Sequence, residues 1–263
     1  MKENQEMNFF DHLEELRKRI VWCAIAVLSV AVVIFVYQEW IMDNIFLNLK
    51  NPDFITYRLF CQYLGVCTDE IPVETHSNNM GGQFSYSMMM SFIGAIIVVA
   101  PFIFYQLWAF IRPGLKKNEI QVFKGIVFYI SLLFFLGIIF GYFVVAPLTV
   151  QFFGTYQISK QIVNFFTINS YMSTIISTVF YSGLFFLLPV VLYVAAKLGI
   201  ITAPFLKKYR RHAIVVVLIL AAVITPPNVI SQILVSIPIL LLYEIGVLVV
   251  AKVEKDQLKK ATR

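Results

Sequence analysis

The chain has 263 residues, 59% of them hydrophobic and 14% charged, with a mean hydropathy of +0.79. Ordinary soluble domains carry roughly 45–50% apolar and about 25% charged residues. With 25 Phe and 13 Tyr this chain cannot cover its apolar surface in water, which excludes disorder, a nucleic-acid-binding tail protein and a small disulfide scaffold. The composition predicts an all-α, polytopic membrane protein, and the net charge of +6 is read as a topology signal rather than as a nucleic-acid footprint.

Residues 1–19 are charged and hold five carboxylates, Glu3, Glu6, Asp11, Glu14 and Glu15. They lack the pattern of a cleavable signal peptide, so the first apolar run is expected to stay in the protein. Within Asn8–Ile20, Phe9, Leu13, Leu16 and Ile20 share one helix face, with Asn8 placed as an N-cap. Glu14/Lys18 and Glu15/Arg19 are i,i+4 pairs in the favoured order. Asp11, Glu14, Glu15 and Lys18 fall opposite the apolar stripe. The segment reads as an interfacial amphipathic helix with a solvated charged face, or as one whose Glu15 offers a carboxylate to a cationic ligand.

A crossing helix needs about 20 apolar residues for about 30 Å of hydrocarbon. Four runs meet this: 20–40, 88–109, 122–147 and 172–196. The stretch 213–251 is interrupted at Thr225-Pro226-Pro227-Asn228, where two prolines read as a turn, and splits into 213–225 and 229–251. One six-span membrane domain over 1–263 follows, ending in a tail at 252–263. Of the 21 Lys and Arg, all but Lys50, Arg58 and Lys160 fall on one side of this arrangement. The positive-inside rule then predicts both termini in the cytoplasm.

Cys23 lies in the first span, and Cys61 and Cys67 share the loop at about residues 41–85, close enough for a disulfide in an oxidising compartment. Tyr105 to Glu119 combines interfacial aromatics, a Pro113-Gly114 helix break, and Glu119 as the loop's one acid among lysines. Glu119 reads either as charge balance or as a second carboxylate beside Glu15. Gly137 and Gly141 have the spacing that lets helices approach closely, and intramolecular packing is the ordinary use of it. Gln232 is placed to hydrogen-bond a neighbouring helix, and Glu244, eight residues before Lys252, falls near a membrane interface. There is no P-loop, no HExxH and no GxSxG, and His12, His76 and His212 lie in three different segments. Neither a catalytic centre, a metal nor a cofactor is expected. The rival function is a small-molecule secondary transporter, but the spans hold few midplane polar groups and one proline-rich break.

Three segments together resemble the TatC family, the core subunit of the twin-arginine protein translocase. They are His12-Leu13-Glu14-Glu15-Leu16-Arg17-Lys18-Arg19, then Tyr105 to Leu115 with Glu119, then Thr225-Pro226-Pro227-Asn228 with Ser231-Gln232, Ile237-Pro238 and Glu244-Ile245-Gly246. The resemblance implies a concave, glove-like bundle in the bacterial cytoplasmic membrane. It implies a receptor that binds twin-arginine signal peptides of folded precursor proteins through Glu15 and Glu119. Leu16, Arg17, Phe110, Pro113 and Leu115 would shape the same surface. It also implies single-span TatA/TatB-type partners meeting Gln232, Ser231 and Thr225, together with the lipid bilayer, further copies of the chain in a homo-oligomer, and no nucleic acid. Two positions depart from the family's pattern: Leu187 stands where members often have Glu before a proline, and Asn228 where they often have Asp. The first external loop also looks enlarged.

Overall fold

Backbone N–H and C=O groups in hydrocarbon must pair within their own segment, so long apolar runs become helices. The computed structural model describes residues 9–65, 73–112, 125–159, 164–224 and 229–261. Ten helices carry the described chain: α1 (Phe9–Val36), α2 (Ile55–Leu64), α3 (Gly82–Ile111), α4 (Ile126–Phe140), α5 (Ala146–Thr155), α6 (Ile168–Phe185), α7 (Leu188–Lys197), α8 (Ala203–Lys208), α9 (Arg210–Ile224) and α10 (Val229–Ala261). Short helical turns fill Gln38–Lys50, and one π-turn, Gly141–Val145, joins α4 to α5. Two-residue strands, β1 (Thr75–His76) and β2 (Phe166–Thr167), pair in parallel with Thr75 opposite Phe166. Thr167 caps α6 by accepting from the Ser170 amide at 3.2 Å, and Thr202 caps α8 in the same way at 3.4 Å.

Among the described residues, five stretches are long and apolar enough to cross a membrane: His12–Val36, Gly82–Ile111, Ile126–Thr155, Ile168–Lys197 and Val235–Lys255. The chain is an all-α polytopic membrane protein. The remaining expected crossing, at 213–225, falls on α9, which has only 15 residues. The break between α6 and α7 falls at Phe186–Leu187, just before Pro189, whose missing N–H cannot continue the ladder. Leu187 is thus the N-cap of α7, half-buried and with an apolar side chain.

The chain divides into two compact units, one from residues 1–38 and 87–131, the other from 39–86 and 132–263. In the first, α1 meets α3 through Val27, Ala95 and Val99, with Ile34 seated over Gly94. The Ser87 hydroxyl donates to the Gln38 amide oxygen. In the second, α4 lies on α6 at Gly137 and Gly141. The cluster Val145, Val217, Ala221, Val235 and Ile239 joins α9 to α10. Another cluster, with Ala196, Ala203, Leu206, Val247 and Val250, seats α7 and α8 on α10.

The irregular turns at 42–50 leave carbonyls outside a regular ladder, and buried carbonyls need donors. Tyrosines supply them. Tyr57 donates to Leu49 O at 3.1 Å and Pro147 O at 2.9 Å, Tyr142 to Ile45 O at 2.9 Å, and Tyr171 to Phe46 O at 2.7 Å. Cys61, on α2, is disulfide-bonded, and Cys23 is a free thiol; Cys67 lies outside the described residues.

Candidate functional site

The first turns of α1 and the last turns of α3 meet within the first unit. His12 stacks on Phe110 with ring centroids 4.3 Å apart and planes 17° from parallel. One turn on, Glu15 Oε1 accepts from Arg19 Nη2 at 2.5 Å and from Arg19 Nε at 3.1 Å. The remaining guanidinium nitrogen of Arg19, Nη1, donates to Gln106 Oε1 at 3.0 Å. These five residues form a ladder between two helices: a ring stack, a carboxylate, a guanidinium and an amide.

Both ion pairs expected from i,i+4 spacing are present, but they sit in different surroundings. Lys18–Glu14 closes at 2.8 Å with side chains 68% and 60% exposed, respectively, and such a pair contributes little. The Arg19 and Glu15 side chains are only 23% and 28% exposed. This corrects the expected placement of Glu15, while Glu14 and Lys18 hold the exposed positions expected of them. Leu13 and Ile20 are exposed at 44% and 58%, whereas His12, Glu15, Leu16 and Arg19 are half-buried. In a bilayer the apolar stripe is solvated by lipid, and the polar stripe is the one that needs protein partners. Glu15 therefore does not belong to a solvated charged face; it packs toward α3.

Arg17 is exposed on α1, and Leu16 and Phe110 are half-buried. Pro113, Leu115, Glu119 and Thr225 lie outside the described residues, and Ser231 is described only as part of the α10 backbone. Gln232 Nε2 donates to Leu218 O at 3.0 Å, which ties α10 to α9. Glu244 pairs with Arg210 at 2.6 Å, the two side chains being 45% and 46% exposed. Tyr243 donates to Leu206 O at 2.9 Å, and Glu254 Oε1 accepts from the Ala203 amide at 3.0 Å. Among the described residues no group of His, Cys, Asp and Glu could hold a metal ion.

Sequence reasoning missed Gln106, Arg210 and Glu254. Gln106 carried a readable signal, because it lies four residues before Phe110 and so shares its helix face. Arg210 and Glu254 carried none: their partners are 34 and 51 residues away.

Chemically, the ladder offers a carboxylate with one oxygen engaged. Both Arg19 contacts fall on Oε1, and among the described residues no hydrogen bond reaches Oε2. A carboxylate so placed can receive a further cation, and a planar guanidinium fits it best.

Long apolar helices whose half-buried polar groups pair with one another inside the protein define a polytopic membrane protein. A family model described as "Sec-independent protein translocase protein (TatC)" matches residues 11–238. The chain belongs to the TatC family. It is 36% identical to the Sec-independent protein translocase protein TatC of Blattabacterium sp. subsp. Periplaneta americana, over 97% of this chain and 99% of that one. It is 33% identical to the TatCy protein of Bacillus subtilis, over 95% of this chain and 90% of the relative. A crystal structure of the twin-arginine translocase receptor TatC aligns with a TM-score of 0.68 at 30% identity, covering 96% of this chain and all of that one. A second TatC receptor structure, in the detergent DDM, aligns at 0.69 and 31% over 90% of this chain and 98% of that one. The protein is thus a multi-pass, non-enzymatic subunit of the protein translocase, and the small-molecule transporter reading falls away.

Proposed function

We propose that this chain is the receptor that captures twin-arginine signal peptides, and that Glu15 is one of the two carboxylates meeting the arginine pair. One observation carries this reading: a half-buried carboxylate at the junction of α1 and α3 already accepts a guanidinium on one oxygen. A site that holds one arginine internally has the chemistry to hold another. Glu119 is the second carboxylate of the proposal. Leu16, Arg17, Phe110, Pro113 and Leu115 are proposed to contribute to signal-peptide binding beside the two carboxylates. Gln232, Ser231 and Thr225 are proposed to meet single-span TatA/TatB-type subunits. Six spans with both termini in the cytoplasm, seated in the bacterial cytoplasmic membrane, complete the reading, supported by the distribution of Lys and Arg.

The test is photocrosslinking in native membranes, with probes beside Glu15 and Glu119 and a labelled precursor carrying either Arg-Arg or Lys-Lys. Crosslinks from both positions that require the arginine pair support the reading. Glu15→Gln is expected to weaken capture by about 1.5–3 kcal/mol, the scale of a charged hydrogen bond. Undiminished crosslinking in that variant sinks the assignment. Glu119→Gln is tested in parallel.

A further inference from the structure

We infer that Arg19 is an internal competitor for Glu15: it occupies the receptor carboxylate between capture events, and an incoming guanidinium must displace it, leaving it held by Gln106 alone. The inference rests on the reading that Glu15 receives the signal arginine, and it deepens that reading by naming what regulates the site.

The geometry carries it. An arginine binds a carboxylate best as a fork, with two parallel N–H donors on two oxygens. Arg19 does not bind that way. Its Nη2 and Nε both converge on Oε1, at 2.5 and 3.1 Å. The grip engages one oxygen and lacks the two-oxygen fork. It is also incomplete in a second sense, because Nη1 is held elsewhere, on Gln106 Oε1 at 3.0 Å. A ligand guanidinium that takes both oxygens gains the fork that Arg19 never had. Arg19, on leaving, keeps its bond to Gln106 and is not left as an unpaired cation in a partly buried place.

The neighbouring pair shows that this is not the fate of every i,i+4 couple. Lys18 and Glu14 also pair, yet both are largely exposed and no third group holds either, among the described residues. Of the described ion pairs on this helix, only the one made by Arg19 also reaches α3 by a hydrogen bond. The arrangement sets a sign. If Arg19 instead oriented Glu15 for the ligand, its loss would weaken capture. As a competitor, its loss strengthens capture. It also acts on release, since the returning guanidinium expels the signal arginine and frees the site for the next precursor.

The experiment uses the full-length protein in native membranes with its partner subunits, and the Arg-Arg and Lys-Lys precursors as probes. Arg19→Gln removes the charge and keeps the length. Capture of the Arg-Arg precursor should tighten, and its release on chase with unlabelled precursor should slow, each by about two- to five-fold, the range of a partly exposed ion pair. Lys-Lys capture should rise by a similar factor, because competition burdens any cation at Glu15. Gln106→Leu removes the acceptor that holds the displaced guanidinium, so capture should weaken. In the Arg19→Gln/Gln106→Leu double variant that defect should vanish, since nothing then needs the acceptor; such coupling is what a double-mutant cycle isolates. Weaker or unchanged capture by Arg19→Gln, at normal protein level in the membrane, overturns the inference, as does simple additivity of the two changes. Glu15→Gln separates the layers. If it leaves Arg-Arg capture intact, the receptor assignment itself has failed. If it abolishes capture while Arg19→Gln fails to raise it, only the competitor role has failed.

Discussion

At the scale of single residues, tyrosines hold the irregular backbone at 42–50. Tyr57 is 2% exposed, and its hydroxyl lies between Leu49 O and Pro147 O. Tyr57→Phe keeps the ring and removes the donor, leaving buried carbonyls unsatisfied at a cost of about 1–3 kcal/mol. Thermal unfolding of the purified protein in detergent should show this loss; an unchanged midpoint would mean that another donor reaches those carbonyls. The same phenol carries a pH signature. Burial pushes its pKa well above that of an exposed tyrosine. The folded state therefore keeps the proton where the unfolded chain gives it up. Its contribution is complete below the unfolded value of about 10 and is lost as pH rises beyond it. Stability should fall less steeply above pH 10 in Tyr57→Phe than in the parent.

At the scale of elements, the α4–α6 crossing depends on the absence of side chains. A Cβ on Gly137 would lie 2.6 Å from Ser182 O and 2.8 Å from Gly183 Cα, and one on Gly141 would lie 2.9 Å from Val179 Cα. These neighbours are backbone and cannot swing aside. Gly137→Leu must push the helices apart, and overpacking of this kind costs about 1–3 kcal/mol or more. By contrast, Gly81 has nothing within 4 Å of its would-be Cβ, so Gly81→Ala should leave the unfolding midpoint nearly unchanged. Comparing the two midpoints in one detergent checks the claim; equal midpoints would refute close packing at Gly137. This crossing also shows what the sequence could reveal. The Gly137/Gly141 spacing announced a close approach, but nothing in it named α6 as the partner. The site divides in the same way. Glu15 and Arg19 share a helix, and their pairing follows from spacing alone. Arg19 to Gln106 spans 87 residues, and only tertiary packing of α1 on α3 creates it. Leu13 and Ile20 misled for a physical reason: an apolar stripe in a bilayer faces lipid as readily as it faces protein.

At the scale of the whole molecule, the open question is how α9 meets the bilayer. Its 15 residues rise about 1.5 Å each, giving about 22 Å against about 30 Å of hydrocarbon. The polar contacts around it explain how so short a helix is tolerated. Arg210, its first residue, pairs with Glu244, which lies well inside the apolar stretch Val235–Lys255 of α10. Both partners remain nearly half exposed, and a charged pair left so open is favoured where water or lipid headgroups lie beside α10. Gln232 satisfies Leu218 O from the facing helix. If α9 is the proposed sixth span, the hairpin is expected to suit a locally thin bilayer, each ångström of mismatch having a modest cost. In nanodiscs of 14-carbon phosphatidylcholine the protein should unfold at a higher temperature than in 20-carbon discs. Replacing the ion pair by two leucines, Arg210→Leu with Glu244→Leu, lengthens the apolar surface of both helices. That variant should lose the preference for thin bilayers or reverse it, while Glu244→Leu alone leaves Arg210 without its partner and should be the least stable of the set. A midpoint that does not respond to chain length in the parent would mean that α9 is shielded from lipid by protein rather than matched to a thinned membrane.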